Sequence, residues 1–290
     1  MRRRQAIAAW VLALPFVVLF AVFTAWPVIS SLFMSFTDLR STDIQTPFAT
    51  NFVGFDNYVN VLGDPLFGKV AFNTLLYVVV GVPLTMVLAL AAAVGLNSIA
   101  WLRGFFRVGY YLPVVTSIVA VAVVWRFLLQ PESGLINQVL GFIGIDGPDW
   151  LNSTTFALPS LIVMAAWRNL GTLMVIFLAG LQTVPREMHE AAEVDGAGRW
   201  QRFRYVTIPM LRPTLLFGAV ITGIGYLQFF EEPFVMTQGG PLDSTRSVAF
   251  YIYDQFGFGN YSFAAAASYV LFIAVVALTA AQFRLLGERR

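Results

Sequence analysis

Gly63, Gly68 and Lys69, in the run GDPLFGKV, match all but the last place of G-x-x-x-x-G-K-[ST], the loop whose backbone N–H groups wrap phosphates while Ser or Thr holds Mg²⁺. Val70 stands where that hydroxyl belongs. Arg126, Arg168, Glu231 and Glu232 are charges inside long apolar runs, where burial in hydrocarbon is costly and a charge normally faces a polar interior. Residues 183–213, TVPREMHEAAEVDGAGRWQRFRYVTIPMLRP, are unlike their surroundings in carrying both acids and arginines. Covalent catalysis is poorly provided for. There is no cysteine, His189 is the single histidine, and neither H-E-x-x-H nor G-x-S-x-G occurs, so no thiol nucleophile, Cys/His metal site or catalytic constellation can be assembled. The expectation is no enzyme activity, no metal and no cofactor bound by this chain.

The elements that must position these residues are membrane spans. The 290 residues are 58% hydrophobic and 12% charged, where a soluble domain carries about 25% charge. A net charge of +2, from 17 arginines and one lysine against 16 acids, is too balanced for a nucleic-acid partner. The chain reads as an all-α integral membrane protein, one transmembrane domain over 1–290. Six stretches are long enough to cross a hydrocarbon layer of about 30 Å: 10–36, 70–97, 108–130, 156–182, 212–236 and 261–283. The first follows Arg2, Arg3 and Arg4, but its apolar run is too long for a signal peptide and Trp26-Pro27 replaces a cleavage site, so it is expected to be retained. With the N-terminus inside, the inner segments 1–9, 98–107, 183–211 and 284–290, together with Arg212, hold 13 of the 18 Lys and Arg residues. The outer segments hold Arg40, Lys69 and Arg246 alone, which places both termini in the cytoplasm.

This topology removes the phosphate reading of GDPLFGKV. The run falls on the outer side, away from cytoplasmic ATP, and lacks the preceding strand that such a loop requires. Asp64-Pro65 reads as a helix start, with Lys69 reaching to the interface. If energy comes from ATP, it must then arrive through a partner, and the 183–213 segment is shaped for one. Thr183 and Pro185 suit a helix start, Gly196 and Gly198 stop that helix, and Arg199 to Val206 reads as a second short helix ended by Pro209. Ala191 and Ala192 are small enough to let another surface approach.

Glu190-Ala191-Ala192, three residues, Gly196, nine residues, then Val206-Thr207-Ile208-Pro209 resembles the EAA loop of membrane subunits of ATP-binding-cassette (ABC) importers, EAA-x3-G-x9-I-x-L-P. Val206 and Ile208 are conservative departures from it. EAAEVDGAGRWQRFRYVTIPMLRP, MTQGGPLDST after the fifth span and NFVGFDNYVNVLGDP before the second are similar to the carbohydrate-uptake branch. The resemblance implies a type I, maltose-transporter-like permease fold of six transmembrane helices. It also implies import of a sugar through the cytoplasmic membrane of a prokaryote. It implies Glu190, Ala191, Ala192, Asp195 and Gly196 as the docking surface for the ATPase. The partners it implies are a second, homologous permease subunit, two cytoplasmic ATPase subunits holding ATP and Mg²⁺, and an extracytoplasmic sugar-binding protein, all assembled in membrane lipid.

For the path itself, Trp167, Arg168, Asn169, Arg126, Glu231 and Glu232 are the candidates, with Arg168 near the midplane and the glutamates near the outer mouth. Two readings stand side by side: these groups line a polar sugar path, or a glutamate pairs with an arginine to fix helix packing. Thr74, Thr85, Thr116, Ser117 and Ser268 are expected to bond within their own helices. A glycerol-phosphate substrate is the alternative within the family. An ion-coupled secondary transporter is the alternative outside it, though no internal repeat supports that.

Overall fold

The structure is a computed structural model that describes residues 2–43, 50–98 and 103–286. Both chain ends proper and the middle of the 98–107 segment, which the charge argument used, lie outside the described residues. The described chain is helical, with one isolated bridge between Thr37 and Phe52 as its extended pairing. Four helices are long and apolar enough to cross a membrane: Ala9–Met34, Pro65–Ser98, Ala157–Gln182 and Tyr261–Leu285. Two bent pairs are apolar and long enough only when each is taken as one unit, Gly104–Val115 with Ile118–Leu128 at 98° and Arg199–Met210 with Arg212–Leu227 at 68°, which makes up to six.

The first span shows how the second of its two prolines, Pro27, is tolerated. Helix α1 (Arg2–Phe20) continues through a π-turn (Ala21–Ala25) into α2 (Trp26–Met34), and Trp26 N–H bonds Ala21 O, one residue further back than in an α-helix. Pro27 has no N–H, and its ring would press on the carbonyl four residues back in a regular helix. The extra residue in the turn takes up that conflict. Phe203–Thr207 is the same device before Pro209, with Ile208 N–H bonded to Phe203 O. Pro209 therefore does not end the second elbow helix, as expected from sequence. The helix runs on to Met210 and turns at the fully buried Leu211.

The chain forms two compact units, the first Met1–Asp64 with Ile252–Val270 and the second Pro65–Tyr251 with Leu271–Arg290. In the first, α2 ends at Met34 and its last carbonyls are met locally, Ser31 O, Phe33 O and Met34 O by the Ser35, Phe36 and Thr37 N–H groups and Leu32 O by the Ser35 hydroxyl. Asn57, in α3 (Asp56–Gly63), caps the turn that follows: Nδ2 donates to Ser35 O at 2.9 Å and Thr37 O at 2.7 Å, while the Tyr58 and Ser35 hydroxyls lie 2.7 Å apart. NFVGFDNY is thus a cap for the first span. Asn51 beside Asp38, through its side-chain amide and then its backbone N–H, holds the Asp38 carboxyl below the usual range. Tyr269 ties the last span to the first, donating to Val28 O at 2.5 Å. Asn57→Ala strands two partly buried carbonyls at about 1–3 kcal/mol each, so the purified protein is expected to melt several degrees lower by scanning fluorimetry. An unchanged melting temperature would show that water caps the helix equally well.

The second unit is built on α4 (Pro65–Ser98) and α8 (Ala157–Gln182), apolar on most faces and correspondingly buried. Tyr77, Leu161, Met164, Ala165, Tyr226 and Phe229 form one core, and Ala89, Ala93, Leu173, Met174 and Phe177 continue it. Helix α12 (Arg212–Leu227) crosses α4 at Gly81, where an added Cβ would sit 2.7 Å from the Tyr226 ring. Only a residue without a Cβ lets that tyrosine lie against α4.

Two expected spans are broken. The 108–130 stretch is α5 (Arg103–Val115) and α6 (Ile118–Leu128), separated by an extended Ser117 with ψ 129°. The 212–236 stretch is α12 and α13 (Glu231–Met236), separated at Gln228–Phe230. Pro233 explains the second break, since a continuous helix would set its ring against the Phe229 carbonyl and leave that carbonyl without its donor. At 16 residues α12 rises about 24 Å, short of the hydrocarbon layer, so a continuous fifth helix with glutamates near its far end is not what forms. Between them lie α7 (Leu135–Phe142), α9 (Arg186–Val194), α10 (Arg199–Arg202) and α11 (Ile208–Met210), and α14 (Val248–Gly257) and α15 (Tyr261–Leu286) complete the chain.

Candidate functional site

The two breaks and the middle of α8 meet at a cavity of about 300 Å³. Arg168, twelfth of the 26 residues of α8, lines it with Asn169 and Thr172; Thr222 and Tyr226 enter from α12, Gln228 and Phe229 from the break, and Glu231 and Glu232 from the first turn of α13. The glutamates are therefore brought to the same cavity as the midplane residues rather than set apart from them. Because the backbone leaves the helix before Glu231, a straight 1.5 Å rise per residue overstates how far along it lies.

Hydrogen bonds fix much of the lining. Asn169 Nδ2 donates to Ala165 O at 3.0 Å and to the Tyr226 hydroxyl at 3.5 Å, and that hydroxyl lies 2.8 Å from Thr85 Oγ1. Phe229 stacks on Tyr77 at 3.8 Å and 6°. The charged groups are left open. Arg168 Nε and Glu232 Oε2 are buried without a partner, and among the described residues no ion pair reaches Arg168, Glu231 or Glu232. Buried polar atoms in a folded core normally have partners, so two unpartnered ones in residues that line one cavity call for an explanation. The donors and acceptors of this lining suit a molecule with a hydroxyl rim, while the Tyr226 and Phe229 rings are buried in the wall against Tyr77.

Not every candidate is brought here. Trp167 precedes Arg168 and points about 100° away from it. It lines an apolar groove with Tyr110 and Pro113, its ring 5.6 Å from Trp125. Arg126 lines a separate polar cavity of about 390 Å³ with Gln130, Asp149 and Gln238. Thr172, Thr222, Tyr226, Gln228 and Phe229 are cavity residues the sequence reading did not name. Their signal was the i, i+4 spacing of polar groups, Arg168 with Thr172 and Thr222 with Tyr226, on otherwise apolar helices. Thr74, Thr85, Thr116 and Ser268 donate to the carbonyl four residues back, as expected, whereas Ser117, expected to bond within a helix, stands in the break before α6.

The elbow is a second exposed feature. Pro185 is extended, with ψ 139°, and opens α9; none of the α9 residues is buried, and Glu190, Ala191, Asp195 and Gly196 are exposed. Gly196 has φ +79°, with its N–H bonded to Glu193 O and the Ala197 N–H to Ala192 O. That pair of bonds is the Schellman turn, whose left-handed residue is nearly always glycine. Gly198 then opens α10, its N–H bonded to Gln201 Oε1 at 2.7 Å, and Arg202 pairs with Glu193 at 2.7 Å across the bend. Met188, Val194, Trp200 and Tyr205 stand exposed around it.

GDPLFGKV forms no loop. Pro65 begins α4, so Gly68 and Lys69 are helical and their amides cannot wrap a phosphate. Lys69 Nζ instead donates to Leu242 O, and Asn73 Nδ2 donates to Asp243 O at 2.8 Å and Arg246 O at 3.1 Å. One face of α4 thus fastens MTQGGPLDST, in which Gln238, Leu242 and Asp243 all have positive φ.

Comparison with known proteins places this architecture. The chain is 35% identical to the lactose transport system permease protein of Rhizobium radiobacter, over 100% of this chain and 97% of the relative. It is 32% identical to the arabinooligosaccharides transport system permease protein of Halalkalibacterium halodurans, over 98% and 89%. A solved bacterial alginate ABC transporter, in complex with alginate pentasaccharide-bound periplasmic protein, has a chain that superposes with a TM-score of 0.80 at 25% identity, covering 98% of this chain and 96% of that one. Residues 81–286 match the family described as binding-protein-dependent transport system inner membrane component. A multi-pass, all-helical chain with these matches belongs to that family, the membrane subunits of binding-protein-dependent ABC importers.

Proposed function

We propose that this chain passes a sugar, of disaccharide or oligosaccharide size, across the cytoplasmic membrane, with its termini and the 183–211 elbow in the cytoplasm. The elbow docks on a separate ATPase through Glu190, Ala191, Ala192, Asp195 and Gly196, and ATP and Mg²⁺ are held by that partner. A second permease subunit completes the path, two ATPase subunits drive it, and an extracytoplasmic binding protein delivers the sugar. The observation that carries the reading is the cavity of Arg168, Asn169, Tyr226, Phe229, Glu231 and Glu232, which offers hydrogen-bonding partners for hydroxyls at mid-helix depth. The sugar-transporting relatives support the substrate class. Arg126 belongs to a vestibule beyond that cavity, and Trp167 to the packing behind it.

Reconstitution tests this. The complex in proteoliposomes is expected to accumulate labelled lactose, maltose or arabinobiose only with its binding protein and with ATP on the side of the elbow. Uptake driven by an ion gradient without ATP would favour the ion-coupled carrier instead.

A further inference from the structure

The cavity's charges are unevenly set. Arg168 faces two carboxylates, Glu231 and Glu232, and no other arginine or lysine lines the space. With both carboxylates ionised the lining carries one positive and two negative charges; with one protonated it is neutral. It is positive in neither state. Arg168 Nε and Glu232 Oε2 are also buried without a hydrogen-bond partner, no ion pair reaches either residue among the described residues, and Glu232 is only 5% exposed.

A guanidinium can only donate and a carboxylate can only accept, whereas a sugar hydroxyl does both. Neighbouring hydroxyls of an uncharged sugar can therefore satisfy the two groups together, recovering what each loses by being buried unpaired. A carboxylate or phosphate on the ligand would satisfy Arg168 but meet at least one of Glu231 and Glu232 as a like charge in a site with no surplus of positive charge. We infer, resting on the saccharide reading above, that Arg168 and Glu232 select an uncharged saccharide and that Glu231 and Glu232 reject sugars bearing carboxylate or phosphate. The shared fold does not decide this by itself, since the alginate transporter's cargo is an acidic polysaccharide.

The test uses the assembled complex in lipid nanodiscs without its binding protein, so that the membrane cavity alone chooses. Saturation-transfer NMR is read with two sets of probes, lactose, lactitol and lactobionate, and maltose, maltitol and maltobionate. Lactitol and lactobionate are both ring-opened and differ in charge, which separates charge from shape. In at least one set the neutral sugar and its alditol are expected to receive saturation at least about tenfold above the aldonate, as like-charge rejection implies. Glu231→Gln with Glu232→Gln is expected to remove most of that ratio. An aldonate signal equal to the alditol's in the unsubstituted complex, or a ratio unchanged by the double substitution, overturns charge selection and leaves the saccharide reading standing. Saturation of no sugar in either set overturns the saccharide reading, and the selection with it. If the double variant fails to assemble, the ratio in the unsubstituted complex decides alone.

Discussion

Arg168→Leu is expected to lower saccharide uptake by the reconstituted complex about 10–100-fold, the loss of one charge-assisted hydrogen bond of about 1.5–3 kcal/mol, while assembly and ATP binding persist. Leucine removes the guanidinium without leaving a large void. The sequence alone left open that Arg168 pairs with a glutamate to hold helices together, and that reading predicts otherwise. Removing one partner of a buried pair strands the other at about 3–5 kcal/mol, so assembly itself would fail and Glu231→Gln would restore it. The structure favours the first outcome, because among the described residues Arg168 has no ion-pair partner to strand. An intact complex that transports normally would remove Arg168 from the path.

Gly196→Val is the second substitution with a large expected effect. Gly196 holds φ +79° with open space where a Cβ would go, so the obstacle is backbone conformation rather than crowding. A β-branched residue there costs about 1–3 kcal/mol, enough to shift the Schellman turn to another geometry in much of the population. The bend between α9 and α10 would change, and with it the surface formed by Glu190, Ala191 and Ala192. Co-purification of the ATPase and sugar-stimulated ATP hydrolysis are expected to fall several-fold together, with the chain still inserted. Gly196→Asn, which tolerates the left-handed conformation, is expected to retain most of both. Full coupling in the valine variant would contradict the docking role of the elbow.

How well each feature could be read from sequence follows from how local its chemistry is. The elbow's shape was legible because its signals, acids early in the run and glycines at the stop, act within about ten residues. The i−4 hydroxyl bonds of Thr74, Thr85, Thr116 and Ser268 were legible for the same reason. The breaks at Ser117 and at 228–230 were not, because hydropathy counts apolar residues and is blind to whether one helix or two holds them. Pro233 carried the signal for the second break, and Pro209 carried a misleading one, since a π-turn absorbs a proline that sequence rules take as a stop. The cavity was half legible. Arg168 and Asn169 stood out by charge and depth, but the Tyr226 hydroxyl reaches Asn169 only because Gly81 admits its ring against α4, a contact between residues 145 positions apart in the chain.

The central claim, that the sugar crosses at this cavity, is open to a direct measurement because the chain has no cysteine. Thr172→Cys places a single thiol on the cavity wall, and Leu242→Cys places one on an exposed loop as a control. In the reconstituted complex, labelling by a small methanethiosulfonate is followed with and without the transported sugar and its binding protein, under conditions that arrest turnover. The sugar is expected to slow labelling at position 172 at least several-fold and to leave position 242 unchanged. Equal labelling of position 172 with and without sugar, in a complex shown to transport it, would place the path elsewhere.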